Sequence, residues 1–516
     1  MEDFHYYLCR RLGGGMEIIM KKLSYETLKE LNYGGYFLKE APERVLQFGE
    51  GNFLRAFVDY FIDVMNEKAG FNSKAVLVQP VGRENMIRDL INEQEGLYTL
   101  LLRGNEKGKK RDVKRVISSV SRCLNPNSDY DQYMDCAKNP GLRFIVCNTT
   151  EAGIQYDPTC RFEDRPASSY PGKLTQFLYV RYQAFGGEPG KGFVILSCEL
   201  IDDNGKELKK CVLQYARQWK LEETFIRWIE DENIFCSTLV DRIVTGYPRN
   251  EAAAICEELG YEDNVIDTGE VFGFWVIEGP ESLKKELLFE EAGLPILITD
   301  DHKPYKQRKV RILNGAHTSM VLGAYLAGQD IVRDCMKDDV IREFMNRTIY
   351  EEIIPTLTLP EDELKDFARA VTDRFDNPFI DHTLLAISLN STSKWKARVL
   401  PSLKGYVERY GRLPECITAS LAFYIAFYRG KGFDTEGYKG LRGEEEYLIR
   451  DDQDILEFYD THKEDEASVL VKAVLSNTQF WGEDLTEIAG LCEKVFADLK
   501  KIEEQGAYDL MKGCLS

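Results

Sequence analysis

The chain has 516 residues, and 66 Lys plus Arg against 86 Asp plus Glu leave a formal net charge of −20. Hydrophobic residues make up 44% and charged residues 29%, which supplies large cores and excludes a disordered, collagen-like or coiled-coil chain. So acidic a chain lacks the basic face that nonspecific nucleic-acid or anionic-membrane binding requires, and no apolar run approaches the roughly 18 residues of a membrane span.

These balances point to a soluble protein that takes a small molecule, with no nucleic-acid or membrane partner; an anionic ligand would need a locally basic pocket. The 13 cysteines are scattered without a CxxC pair, and only five His are available. Reduced thiols in a cytoplasm are expected, and no metal site. Met1–Gly15 has no apolar export core. Arg11–Gly15 before Met16 reads like a translated purine-rich ribosome-binding site, so the natural start is expected at Met16 or Met20.

After an N-terminal extension (1–40), Val45–Phe48 reads as a strand, Gly49–Phe53 as a turn, and Phe53, Leu54, Phe57, Phe61, Val64 and Met65 follow at helical spacing until Gly70. Ala75–Val78 is a second strand, completing a β-turn-α-β unit with a right-handed crossover. Further strand-like runs are Val116–Val120, Phe144–Cys147 and Phe193–Leu196. Beyond about residue 280 the pattern turns helical: Lys309–Gln329, Asp338–Ile354, Glu361–Phe375, Ile417–Tyr428, Asp454–Asp460, Glu466–Leu475 and Asp484–Glu504, punctuated by prolines. The acidic run Glu444–Glu446 reads as a solvated face. The fold class is an α/β Rossmann-like domain with a mostly parallel sheet (41–282), followed by an all-α domain (283–516), with an active site in the cleft between them.

Four groups carry candidate chemistry. Gly49-Glu50-Gly51 between strand and helix permits close approach of a diphosphate to backbone N–H groups at a helix N-terminus. The third glycine of the usual fingerprint is replaced by Leu54. No acidic residue ends the second strand, where Arg83 could accept a 2′-phosphate, so this position does not settle NAD against NADP. In an α-helix of about 100° per residue, His317 lies about 80° and Asn314 about 140° from Lys309. Lys, Asn and His on one broad face suit proton transfer at a carbinol, the Lys as acid or base and the Asn as donor to an oxyanion. Asn148-Thr149-Thr150-Glu151-Ala152-Gly153 follows a strand and would stand at the carboxyl edge of the sheet. Asp373–Pro378, His382 and Ser391–Arg398 concentrate positive charge that could hold a carboxylate. Each group also admits a plain structural reading: a turn, a charged helix start with a core His, a capped loop, a solvated basic helix.

Taken together, these groups resemble the mannitol dehydrogenase family of polyol-specific long-chain dehydrogenases. Its Lys-x4-Asn-x2-His signature is matched by Lys309, Asn314 and His317. Its GxGxFxRA pattern is matched by Gly49, Gly51, Phe53, Arg55 and Ala56, its Val-Asp-Arg-Ile element by Val240–Ile243, and its TE-x-G turn by Thr150, Glu151 and Gly153. Within the family the wording is closest to members that reduce keto-uronates. The resemblance implies NAD as cofactor, held by Phe48, Gly49, Gly51, Asn52, Phe53, Arg55, Asn148, Thr149, Thr150 and Glu151. It implies Lys309, Asn314 and His317 as catalytic residues, and Asp241, Arg374 and His382 as substrate-binding ones. Mannitol-type and fructuronate-reducing members carry Ser-Cys-Asp-Asn where this chain has Ser197-Cys198-Glu199-Leu200. What replaces the lost amide stays open, with Asn204 a candidate. The alternatives are a fructuronate or mannitol-type substrate within the same family or, from another class, a non-catalytic nucleotide-binding sensor, against which the intact Lys-Asn-His set argues.

Overall fold

A computed structural model describes residues 20–80, 82, 84–150 and 152–516. The proposed start at Met16, the 2′-phosphate candidate Arg83 and the cofactor candidate Glu151 lie outside the described residues. The chain forms two compact units: residues up to Arg103 together with Arg111–His302, and Gly104–Lys110 together with Lys303–Ser516.

In the first unit the strands are β1 (Glu43–Phe48), β2 (Lys74–Val78), β3 (Tyr98–Glu106), β4 (Lys109–Ile117), β5 (Val120–Leu124), β6 (Phe144–Cys147), β7 (Val194–Ser197), β8 (Ile234–Asp241), β9 (Asp267–Glu270), β10 (Phe274–Glu278) and β11 (Ile296–Thr299); β3 and β4 run out into the turn that groups with the second unit. Eight of them make one sheet in the order β11-β10-β8-β7-β6-β1-β2-β5. Every neighbouring pair is parallel except β8 with β10. Alternate residues feed two cores, as a two-residue period requires. Val45, Ala75, Leu77, Phe144 and Val146 face one core, and Leu46, Phe48, Val76, Val78 and Ile145 face the other. Strand order reverses at β1, between β2 and β6, which is where a ligand sits at the carboxyl ends of such a sheet.

Three sequence expectations are corrected here. The run Val116–Val120 is not one strand. It joins the end of β4, in a three-stranded sheet β4-β3-β9, to the start of β5 in the main sheet. The break is set by buried side-chain bonds: Ser118 N and Oγ donate to Asp63 Oδ1, both at 2.8 Å, and Ser119 Oγ to the Asp59 carbonyl at 2.7 Å. Strands do not stop near 280, because β11 pairs in parallel with β10, and the division between units falls after His302 rather than at 282/283.

Nor is the second unit entirely helical. β12 (Gly432–Phe433), β13 (Tyr438–Arg442) and β14 (Glu445–Ile449) form a small antiparallel sheet. Its turn is made by Gly443 at φ +63°, and Tyr438, Tyr447 and Ile449 are buried beneath exposed Glu444, Glu445 and Glu446. The acidic run is solvated as expected, and its charges mask the strand alternation around it. The rest of this unit is helical. The helices Gly315–Leu326 and Glu415–Tyr428 are buried almost throughout. They approach closely at Gly323, where a Cβ would stand 2.5 Å from the Phe423 ring. Buried Glu352 accepts from the Cys416 and Ile417 backbone N–H groups, both at 2.8 Å, and caps the second of these helices. Among the described residues no helix is long and apolar enough to cross a membrane.

Candidate active site

At the switch point, the turn after β1 is pinned to both neighbouring strands. Gly49 N donates to the Val78 carbonyl at 2.9 Å and Asn148 N to the Phe48 carbonyl at 3.1 Å. Gly49 has φ +135°, a conformation that favours glycine, and a Cβ there would lie 2.8 Å from Leu54 Cδ1. Leu54, in the place of the third fingerprint glycine, therefore packs under the turn. Gly51 is exposed, and a Cβ added to it meets nothing within 4 Å. The segment Asn52–Leu54 opens the helix beyond, continues through a π-helical turn Arg55–Asp59, and runs on as Tyr60–Ala69, ended by Gly70 in the left-handed region. An open glycine surface beside a helix N-terminus is a fit for a dinucleotide diphosphate.

The other cofactor candidates divide by where their side chains go. Phe48 points into the core between Tyr133 and Tyr170, leaving only its backbone at the turn. Phe53 is half-buried and stacks on Phe57 at 5.2 Å. Arg55 is 3% exposed and turns inward. It donates to the Glu50 carbonyl (3.1 Å), Asn52 Oδ1 (2.6 Å) and the Val265 carbonyl (2.6 Å), so it holds the turn in shape from below. Next to it, burial pushes the Asp59 and Asp267 carboxyls up to about 7, against the pull of Arg55.

The turn after β6 has its own support. Thr149 donates through N and Oγ1 to Glu199 Oε1, both at 3.0 Å. Thr150 adopts φ +72°, and a Cβ at Gly153 would lie 2.1 Å from Thr149 Oγ1, so only glycine fits there. Glu199 is a residue the sequence reading passed over. Its signal was a carboxylate just beyond the buried apolar strand β7. Asn204 does not replace the family amide, because its side chain is fully engaged within the unit. It donates to the Glu199 and Thr238 carbonyls and accepts from the Gly205 and Thr238 N–H groups. Leu200, at the position where the resemblance to mannitol-type members implies an Asn, is 64% exposed. Asp241 ends β8 and is buried. Asp203, Glu278 and His302 could converge on a metal ion, but Lys206 pairs with both carboxylates at 2.9 and 2.8 Å and His302 Nδ1 lies 2.6 Å from Glu278. Both carboxylates are thus already engaged by side chains of the group.

In the second unit, Lys303–Arg308 is α-helical, Lys309–Asn314 is a π-helical turn, and Gly315–Leu326 is α-helical again. The π turn changes the expected geometry. An i→i+5 turn takes more residues per turn than an α turn, so it brings Asn314 closer to the line of Lys309 than α-helical spacing would. His317, three residues past Asn314, continues the same face. Arg311 anchors the π turn from its buried side, donating to Ser402 Oγ at 2.5 Å and Thr356 Oγ1 at 2.8 Å.

Around His317 stand two of the three substrate-binding candidates, Arg374 and His382; Asp241 belongs to the first unit. The His317 ring stacks on Phe375 with centroids 3.8 Å apart and planes at 6°, and meets His382 edge-on at 5.7 Å. Its Nε2 is shielded and has no hydrogen-bond partner. Burial, then His382, Arg374, Arg398 and Lys394, push the imidazole well below its ordinary range, so it is neutral at pH 7. Arg374 and Phe375 end the helix Glu361–Phe375. The adjoining Asp373 accepts from the Lys107 and Gly108 N–H groups at 2.7 and 3.3 Å, so residues 104–110 brace this corner.

A parallel sheet of the nucleotide-binding kind in one unit, and the Lys309, Asn314 and His317 run of the other, belong to a dehydrogenase that acts on a CH–OH group. The chain matches the mannitol dehydrogenase Rossmann domain over residues 43–291 and the mannitol dehydrogenase C-terminal domain over 301–503. It belongs to the mannitol dehydrogenase family. It is 48% identical over 472 residues to altronate oxidoreductase of Enterobacter sp. (strain 638), covering 90% of this chain and 95% of that one. It is 47% identical over 492 residues to altronate oxidoreductase of Shigella flexneri, covering 94% and 99%. The fold is shared with the ternary complex of Pseudomonas fluorescens mannitol 2-dehydrogenase with NAD and D-mannitol (TM-score 0.66, 22% identity, 96% of this chain and 99% of that one). It is also shared with substrate-free D-sorbitol dehydrogenase (TM-score 0.77, 22% identity, 95% and 100%).

Proposed function

We propose that this chain catalyses the NAD-dependent reduction of D-tagaturonate to D-altronate, and the reverse oxidation, as a cytoplasmic step of hexuronate catabolism. One observation carries an acidic over a neutral substrate. In a chain of net charge −20, the charged side chains that bear on buried His317 are all cationic: Arg374, Arg398 and Lys394. The two relatives named altronate oxidoreductase support the same choice.

NAD(H), when bound, supplies or accepts the hydride. Gly49–Asn52 would hold its diphosphate and Asn148–Thr150 the adjoining part, with the turn shaped by Arg55 and Glu199; Glu151 belongs to the same assignment. Lys309, as an ammonium, donates its proton to the carbonyl oxygen as that oxygen becomes an alkoxide, and the Asn314 amide donates to the same atom. In the oxidative direction Lys309 acts as the amine and takes the proton back. Neutral His317 and buried Asp241 orient substrate hydroxyls, while Arg374 and His382 hold the carboxylate end. A neutral polyol brings no carboxylate to this end of the site and is rejected on that ground.

The test is loss of NADH absorbance with purified protein and D-tagaturonate, D-fructuronate or D-fructose in parallel. Rapid loss with D-tagaturonate and little with the others is expected. Preference for D-fructuronate or D-fructose overturns the substrate, and NADH binding without turnover of any of them overturns the enzyme reading.

A further inference from the structure

The helix Ser391–Arg398 is held rigidly at both ends beside the Lys-Asn-His face. At its N-terminus Asp451 Oδ2 accepts from Thr392 N (3.2 Å), Thr392 Oγ1 (2.8 Å) and Tyr428 OH (2.5 Å). At its C-terminus the Arg398 carbonyl oxygen would stand 3.1 Å from a Cβ at Gly315. The backbone of Arg398 therefore passes directly beside the residue that follows Asn314. Its guanidinium turns toward the same helix and reaches Thr318, the neighbour of His317, where Nη1 donates to Oγ1 at 3.5 Å. That is a long bond for a guanidinium, which carries five donors. A role in capping its own helix is excluded by this direction, since the side chain reaches a different helix.

The charge around Arg398 is unusual for this chain. Several arginines of the unit meet carboxylates, Arg308 with Glu363 at 2.8 Å, Arg442 with Asp330 at 2.7 Å and Arg429 with Glu503 at 2.5 Å, and buried Arg311 spends its donors on two hydroxyls within 2.8 Å. Arg398 is half-buried, and burial pushes its guanidinium down with no carboxylate opposing the shift. One turn earlier on the same helix face stands Lys394, pushed down by burial and by Arg398 itself, its ammonium bonded to the Ile387 carbonyl at 2.9 Å. Like charges at i and i+4 work against a helix, and here they are kept together, half-desolvated and close enough to His317 for both to push its imidazole down. A desolvated cation of this kind gains most from an arriving anion, because the attraction is little screened.

We propose that Arg398 is the specificity-determining residue for sugar-acid substrates, its guanidinium fork receiving in two parallel N–H···O bonds the carboxylate that Arg374 and His382 flank. The assignment rests on the keto-uronate reading of the same site and gives it a residue. A guanidinium presents the planar fork that matches a carboxylate, whereas Lys394 is a point charge already bonded to backbone. Arg398 then sets which molecules enter, while Lys309 and Asn314 act on the carbonyl.

The experiment compares wild type, Arg398→Gln and Arg398→Lys on D-tagaturonate and on D-tagatose, the same ketose with a hydroxymethyl group in place of the carboxylate. Thermal melting and NADH affinity serve as checks of folding. The ratio of kcat/KM for the acid to that for the neutral sugar is expected to fall about 100-fold in Arg398→Gln, through KM for the acid, and about 10-fold in Arg398→Lys, which keeps the charge and loses the fork. An unchanged ratio in a folded, NADH-binding Arg398→Gln overturns the assignment while leaving the reaction standing. Should wild type reduce neither sugar, calorimetric titration of D-tagaturonate decides. Binding lost in Arg398→Gln keeps the anion site and discards the reaction, and no difference in binding discards the site as well.

Discussion

Placing the diphosphate over Gly49–Asn52 makes opposite demands on two glycines one residue apart. Gly51 sits at φ −70° and ψ 169°, where any L-residue is unstrained, and a Cβ there meets nothing within 4 Å. In Gly51→Ala the loss of unfolded-chain entropy stabilises by about 0.4–1 kcal/mol, while alanine is the poorer helix N-cap by a similar amount, so stability changes by no more than about 0.5 kcal/mol. The methyl group nevertheless stands on the open surface where the diphosphate approaches. Displacing one charge-assisted N–H bond costs about 2 kcal/mol, or about 30-fold in Kd for NADH. Gly49→Ala behaves differently: φ +135° and a Cβ at 2.8 Å from Leu54 Cδ1 combine backbone strain of about 1–3 kcal/mol with overpacking of about 1–3 kcal/mol. Fluorescence titration with NADH and urea unfolding on the two variants separate these effects. If Gly51→Ala is stable and binds NADH as tightly as wild type, the diphosphate does not lie over this turn and the placement is refuted.

Lys309→Ala should lower kcat by about 100- to 10,000-fold, the range for a lost general acid, while the Kd for NADH stays within about twofold; near-normal turnover in steady-state assays would remove Lys309 from the mechanism. Phe375→Leu keeps an apolar neighbour for His317 but loses the ring stack, and kcat/KM for the sugar acid should fall by up to about 10-fold, since such stacks contribute about 0.5–1.5 kcal/mol. The carboxyls of Asp59 and Asp267, pushed by burial from 3.8 to about 7, retain protons in the folded state that the unfolded chain has released. Stability should therefore fall as pH rises from about 4 to about 7 and level off above that. Asp59→Asn should flatten the fall and be more stable than wild type at pH 8, measured by urea unfolding at pH 5.5 and 8. His317 adds the reverse trend: depressed in the folded state, it costs stability as pH drops below about 6.5, an effect that His317→Gln should abolish in the same unfolding series.

Local spacing made much of the site legible. Val45–Phe48, Gly49-Glu50-Gly51 and the helix closed by Gly70 are consecutive in the chain, so their order alone displays a strand, a turn and a helix N-terminus. Other elements depend on partners far away in sequence. β9 pairs with β3 across Leu100–Asp267 to Arg103–Glu270, and neither strand alternates cleanly enough to stand out alone. Arg55 sits in a motif that resembles a cofactor contact, but its inward direction is set by the Val265 carbonyl, 210 residues on. Glu199 acquires a purpose only when Thr149 is brought to it from the adjacent strand end. The stack of His317 on Phe375 joins two helices that each read, in isolation, as ordinary amphipathic segments.

The π turn explains why five residues separate Lys309 from Asn314. In an unbroken α-helix that spacing puts the ammonium and the amide about 140° apart, too far round the helix for both to meet one oxygen without a detour of the lysine stem. With the chain in i→i+5 register over Lys309–Asn314, the angle between the two narrows, and the return to α register at Gly315 keeps His317 one turn beyond Asn314. The wider turn costs some regular helix hydrogen bonding, and the buried Arg311 bonds to Ser402 and Thr356 hold its far side in place. A similar π turn follows the glycine pair, at Arg55–Asp59, where Arg55 and Asp59 are both turned beneath the cofactor turn. The second unit has a further π turn at Thr348–Ile353, where Glu352 is turned inward to cap the helix Glu415–Tyr428, so in all three turns the wider register accompanies a polar side chain with a set task; π turns are frequent at functional sites in proteins generally.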